Sequence, residues 1–173
     1  MNADQATFLT TYFANMFDNE CKTTARVLAA VPESGRSYKP DAKSRTAWEL
    51  ATHVALGDIW FLDGIINGKF DDDPEGEKKA AATFASVSDL VAFYTREFPE
   101  RIAKLRALLA DKLTRTVDFF GMMQLPAAAF LGVANNHGIH HRGQLASYLR
   151  SMGGKVPSIY GGSADEPMTG AAS

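Results

Sequence analysis

Apolar residues recur at helical spacing through four long stretches of this chain, which restricts it to folds in which helices bury one face against another. The first stretch runs from about Ala3 to Ala30. Phe8, Tyr12 and Met16 lie on one edge of its stripe, Leu9, Phe13 and Phe17 lie beside them, and Val27 and Leu28 continue it. Pro32 stops it, and Glu33 to Lys43 reads as a loop. Thr46-Ala47-Trp48-Glu49 matches a capping box, so a second helix starts there and ends near Asn67-Gly68. A third runs from the N-cap Ser88 to Ala110, with Pro99 placed to kink or split it. The fourth opens near Pro126 and runs to Met152, where Gly153-Gly154 stop it. Lys69 to Ala85 is charged and reads as a solvated excursion. Val117, Phe119 and Gly121 read as a short extended link.

The expected fold class is therefore all-α, a helix bundle. A chain of 173 residues with 46% hydrophobic content makes one domain over residues 1–160, followed by a small, polar tail over 161–173 expected to be mobile. No run approaches the roughly 18 apolar residues of a membrane span. Met1 to Thr11 shows no secretory pattern, so the cytoplasm is the expected location, and the single Cys21 fits a reducing compartment. A net charge of −2 argues against nucleic acid as partner. Nucleophile elbow, phosphate loop, dinucleotide fingerprint and His-Glu-x-x-His are all absent. Asp71 to Asp73 with Glu75 lacks the spacing of a calcium loop.

Chemistry concentrates in the histidines. His137 and His141 form an H-x-x-x-H pair, which puts two imidazoles one turn apart on one side of a helix. At about 100° per residue, Phe130, Ala134, His137, His141, Gln144 and Tyr148 share one narrow inward sector. His53 shares a sector with Leu50, Gly57 and Trp60, and Gly57 leaves space beside it. Buried imidazoles need hydrogen-bond partners or a metal. One divalent ion satisfies all three, and three protein ligands leave positions open, as in catalytic zinc sites. Imidazole suits Zn²⁺, Ni²⁺, Fe²⁺ and Cu²⁺ alike. Hydrogen-bonded core histidines are the competing reading.

Milder roles are expected elsewhere. Glu49 serves the capping box, with a place behind His53 as its alternative. His140 reads as a surface or subunit contact, and Arg142, off the stripe, as a structural ion pair. Gln144 and Tyr148 are candidates for positioning a substrate, although Tyr148 also reads as core. Cys21 reads as a small buried apolar residue, Asp58 and Asp63 as solvated positions, and Trp48 and Trp60 as packing residues. No general base stands out.

The helix-two run Trp48-Glu49-Leu50-Ala51-Thr52-His53 and the helix-four run His137-Gly138-Ile139-His140-His141-Arg142-Gly143-Gln144-Leu145 resemble the DinB-like, or YfiT-like, four-helix family. Tyr148-Leu149-Arg150 and Gly153-Gly154 extend the likeness, which covers about Ala3 to Tyr160. The resemblance implies an antiparallel four-helix bundle with one long crossover. It implies a divalent metal, nickel or zinc, with iron as a further choice, held by His53, His137 and His141. It also implies a homodimer and a small-molecule substrate, with a low-molecular-weight thiol as partner. The expected function is a metal-dependent enzyme of the thiol S-transferase or hydrolase type, in which the site activates a thiol or water. The alternative is a non-catalytic, metal-binding dimeric module for regulation or interaction. The excursion at Lys69 to Ala85 would reshape the substrate pocket.

Overall fold

Reciprocal caps fix where three of the four long helices begin. The computed structural model describes residues 1–168; the last five residues of the expected tail, 169–173, lie outside the described residues. Helix α1 (Ala3–Ala29) starts at Asn2, whose side chain accepts the Gln5 N–H while the Gln5 side chain accepts the Asn2 N–H. Helix α2 (Ala47–Asn67) starts from the same exchange between Thr46 and Glu49, as the sequence predicts. It ends at Gly68, whose φ of 75° is the left-handed conformation that favours glycine.

The charged excursion is not all loop. It contains helix α3 (Pro74–Ala81), whose N-cap Asp73 accepts the Gly76 N–H and whose first turn carries Pro74. An aspartate followed by proline is a helix-start signal. It was submerged here by the surrounding charge.

Helix α4 (Val87–Arg106) begins two residues earlier than expected, because Ser86 and Asp89 form the capping box. Pro99 lies inside α4 without splitting it, and the helix stops at Arg106 rather than at Ala110. A short helix α5 (Ala110–Thr114) follows. The expected extended link is a hairpin of β1 (Thr116–Phe119) and β2 (Met123–Pro126), with Thr116 opposite Pro126 and Phe119 opposite Met123. At its tip Phe120 and Gly121 both have positive φ, 55° and 71°. Gly121 takes this without strain, whereas a bulky L-residue there costs about 1–2 kcal/mol. After a 3₁₀ turn at Ala127–Ala129, helix α6 (Phe130–Leu149) starts four residues later than expected.

Helices α1 and α2 each pack on both α4 and α6, so the four long helices form a bundle with α1 and α2 across a diagonal. The 30–46 link and the longer 107–129 link cross its diagonals. Leu28, Leu50, Leu62, Leu90, Ile102 and Leu131 are fully buried at its centre. The expected stripe of α1 is corrected: Phe8 and Tyr12 are 72% and 56% exposed. Its buried line runs instead through Ala6, Thr10, Ala14 and Phe17. Two residues turn a helix by about 200°, which carries Phe8 away from the face of Ala6. Small residues thus line the start of the helix, whereas Phe17, Val27 and Leu28 of the expected stripe are buried.

Two polar groups lie inside the core. Arg142 is 1% exposed and pairs with Glu20 at 2.5 Å, with Thr24 Oγ1 at 3.0 Å. It forms the structural ion pair the sequence suggests. Asp58, expected to be solvated, is buried and accepts a 2.8 Å hydrogen bond from the Tyr94 hydroxyl. Desolvation pushes its carboxyl up to about 7, against the pull of the Tyr94 hydrogen bond and of Arg142. Asp63 instead pairs with Arg101 near the surface. Within the described part of the tail, Asp165 accepts from Arg150 and from the Val156 N–H, and Glu166 pairs with Arg26. Among the described residues no helix is long and apolar enough to cross a membrane.

Candidate metal centre

The inward register of α2 and α6 brings His53, His137 and His141 together across the contact between those helices. One ligand nitrogen from each lies within 4.8 Å of the others, and all three rings are part-buried. The ring centroids are 4.6–5.1 Å apart. Nε2 of His53 and Nε2 of His137 are separated by 3.3 Å. Two nitrogens each about 2.05 Å from a tetrahedral ion also stand about 3.3 Å apart.

Groups behind the rings set which nitrogen faces inward. Nδ1 of His53 lies 2.9 Å from Glu77 Oε1, brought by the helix inside the excursion. Nδ1 of His141 lies 3.2 Å from Gln144 Oε1, three residues on. An Nδ1–H held by such an acceptor leaves the Nε2 lone pair free to ligate. Sequence reasoning missed Glu77, although Asp73-Pro74 marked the helix that carries it. Glu49 remains in its capping box.

Gly57 is what allows the rings to meet. A Cβ placed there would lie 2.6 Å from His137 Cε1. The space beside His53 is thus filled by the His137 ring. Gly138 has a similar role on the other side: its Cβ would lie 2.9 Å from Asp58 Oδ1.

The donor set passes an electrostatic test for a cation. Burial, then the neighbouring His141 and His53, lower His137 from the ordinary 6.5 to about 3. Burial likewise lowers His141, opposed by its hydrogen bond to Gln144. These rings are therefore uncharged at neutral pH, the state that ligates metal. Nδ1 of His137 is buried with no hydrogen-bond partner among the described residues. The three imidazoles fit a divalent transition-metal ion in donor type and spacing. No fourth histidine, cysteine or carboxylate joins the group among the described residues.

His140 is exposed and only edges against His141, with centroids 4.8 Å apart. Tyr148 is 5% exposed and packs edge-on against Tyr38; its hydroxyl has no partner among the described residues. Beside the histidines opens a cavity of about 460 Å³. His53 and His137 form its inner wall, and Trp60, Phe61 and Phe120 supply aromatic surface. Neither Gln144 nor Tyr148 lines it. Trp60, expected only to pack, donates its indole N–H to the Asp71 carbonyl at 2.9 Å and so ties the excursion to α2. Trp48 carries the Arg36 guanidinium over its ring, 3.7 Å from the centroid. Cys21 is buried as expected, and desolvation, then nearby Asp58 and Asp18, push its thiol up to about 11.

The molecule is thus a helical bundle with a cluster of three imidazoles, two of which, His53 and His137, line an open cavity. Residues 4–169 match the DinB family, and the chain belongs to that family. It is 32% identical to the protein YjoA of Bacillus subtilis (strain 168) over 120 residues, 68% of this chain and 73% of YjoA. The crystal structure of YjoA, a DinB-like protein, superposes with a TM-score of 0.67 at 26% identity, covering 86% of this chain and 96% of that one. A DinB-like protein from Bacillus cereus ATCC 10987 has the same fold, with a TM-score of 0.66 at 23% identity over 86% and 95% of the two chains.

Proposed function

We propose that this protein is a metal-dependent enzyme in which His53, His137 and His141 hold one divalent ion, zinc or nickel in the first place and iron as a further choice. The observation that carries the reading is the 3.3 Å approach of two imidazole nitrogens with acceptors behind His53 and His141. Histidines merely bonded to each other would not need Glu77 and Gln144 to turn both remaining Nε2 atoms inward. A divalent ion there supplies Lewis acidity, which lowers the pKa of a coordinated thiol or water.

The chain's own residues do the rest. Glu77 and Gln144 fix the ring orientations of His53 and His141. Gly57 gives the His137 ring its room. Trp60, Phe61 and Phe120 offer an apolar wall for a small-molecule substrate and displace water from it. Cys21, buried and protonated, takes no part as a nucleophile. The reaction class this supports is transfer of a low-molecular-weight thiol to an electrophile, or hydrolysis. The exposed Phe8 and Tyr12, one turn apart on α1, support a homodimer.

The test is turnover of a chromogenic electrophile with a small thiol, and of an ester without one, by metal-loaded protein. His141→Ala should abolish both metal retention and turnover while leaving the helical circular dichroism intact, whereas His140→Ala should change neither by more than about twofold. Stoichiometric metal with no turnover of any substrate would favour the non-catalytic module instead.

A further inference from the structure

We propose that the cavity beside the three histidines selects an organic cation, a molecule with an ammonium or guanidinium head and an apolar body, and rejects anionic substrates of the same size. The proposal rests on the metal-enzyme reading only for which end of that molecule reacts.

Five acidic residues line the cavity, Asp63, Asp71, Asp72, Asp73 and Glu77, the last four of them exposed, and no lysine or arginine does among the described residues. Two of the five are compensated from outside the lining, Asp71 by Lys69 and Asp63 by Arg101. Asp73 spends one oxygen on the Gly76 N–H, a neutral donor. Glu77 faces the His53 ring, which is charged only when protonated. Asp72 has no ion-pair or hydrogen-bond partner among the described residues. The walls between these acids are aromatic. Trp60 and Phe120 stand nearly parallel, 9° apart in plane, with centroids separated by 6.3 Å. Such faces attract a cation within about 6 Å and offer nothing to an anion.

Phe120 lines the cavity from the hairpin. It sits at the hairpin tip in a left-handed conformation that glycine or asparagine would hold more easily, and 42% of its surface is exposed. Its ring is held out over the cavity rather than folded into the core.

The geometry also orients the guest. Glu77 reaches His53, and Asp73 lies four residues earlier, as the N-cap of the same short helix. Four residues of helix advance about 6 Å. The cationic head therefore lies toward Asp71 to Asp73, at least one helical turn from the reacting end at the histidines. Coulomb attraction in a half-enclosed, aromatic-walled space is stronger than at an open surface.

Isothermal titration calorimetry with two probes of matched size tests this: 2-phenylethylammonium and 3-phenylpropionate, on the full chain at pH 7.5, before and after treatment with a chelator. Chelation removes any carboxylate affinity that is owed to a bound metal. In chelated protein the ammonium probe should bind at least tenfold more tightly than the carboxylate probe. Asp72→Asn should weaken the ammonium probe threefold or more without weakening the carboxylate probe. Phe120→Gly, which also relieves the backbone, should weaken the ammonium probe while keeping the fold. Equal binding of the two probes after chelation, or tighter binding of the carboxylate, overturns the proposal, as does an Asp72→Asn variant with unchanged selectivity. Failure of the metal reading shows separately, as protein that carries no metal by elemental analysis before chelation and whose affinity for each probe, still differing between the two probes, is unchanged by chelation.

Discussion

Replacing Gly57 by alanine should separate metal binding from stability, two properties that usually fall together. The added Cβ would lie 2.6 Å from His137 Cε1, whereas carbon atoms in ordinary contact sit about 3.5–4.0 Å apart. The His137 ring must therefore withdraw by about 1 Å. Half a metal–nitrogen bond length is about 1 Å, so a retreat of that size removes His137 from the coordination set. For the fold the change is nearly balanced. Alanine is favoured over glycine inside a helix by about 1 kcal/mol, and an off-rotamer ring costs about 0.5–1.5 kcal/mol. Gly57→Ala should thus shift the unfolding free energy of chelated protein by less than about 1 kcal/mol. It should weaken metal at least about tenfold, or about 1.4 kcal/mol. Competition against a metal-sensitive dye gives the affinity, and urea denaturation of the chelated protein gives the stability. A variant that binds metal as the parent does, with stability also unchanged, would show that His137 is not a ligand.

Other consequences follow from the same contacts. Glu77→Gln should lower metal affinity about 10–100-fold, because an amide is a weaker acceptor behind His53 than a carboxylate; unchanged affinity would remove Glu77 from the site. His137 is held down to about 3 in the folded protein and titrates near 6.5 when unfolded, so the unfolded chain gains protons first on acidification. Chelated protein should therefore lose stability as pH falls from about 6.5 toward 3, and His137→Gln should flatten that slope; parallel melting curves for the two proteins from pH 7 to 4.5 would refute it. Asp58 has the opposite sign. Its folded value of about 7 lies above the ordinary 3.8, so its contribution is complete below 3.8 and is lost as pH rises toward 7. Asp58→Asn should gain on the parent in urea midpoint between pH 4 and pH 7.5, and a pH-independent difference would contradict a buried carboxyl there.

How much of this was legible in the sequence depends on distance along the chain. Helix starts at Asn2 or Thr46 are set by residues three apart, and a capping box announces itself. The inward register of His137 and His141 follows from helical period, and that of His53 from its neighbours Leu50 and Gly57. Their meeting depends on α2 packing against α6, which local pattern does not specify and which the family likeness supplied. Glu77 stayed hidden because its helix is only eight residues long, is polar in composition and buries none of its residues. Asp58 was misread because an aspartate is most often solvated, and nothing near it in sequence marks Tyr94, 36 residues on, as its donor. Phe8 and Tyr12 misled in reverse. Their size implied a core that is in fact lined by Ala6 and Ala14.

The central claim is that three imidazoles converge on one ion and leave part of its coordination open. X-ray absorption fine structure at the metal edge of loaded protein measures this directly. Three imidazole nitrogens at about 2.0–2.1 Å, with a light oxygen scatterer completing the shell and no sulfur, is the predicted result. Two or fewer imidazoles, or a sulfur at about 2.3 Å, would contradict it.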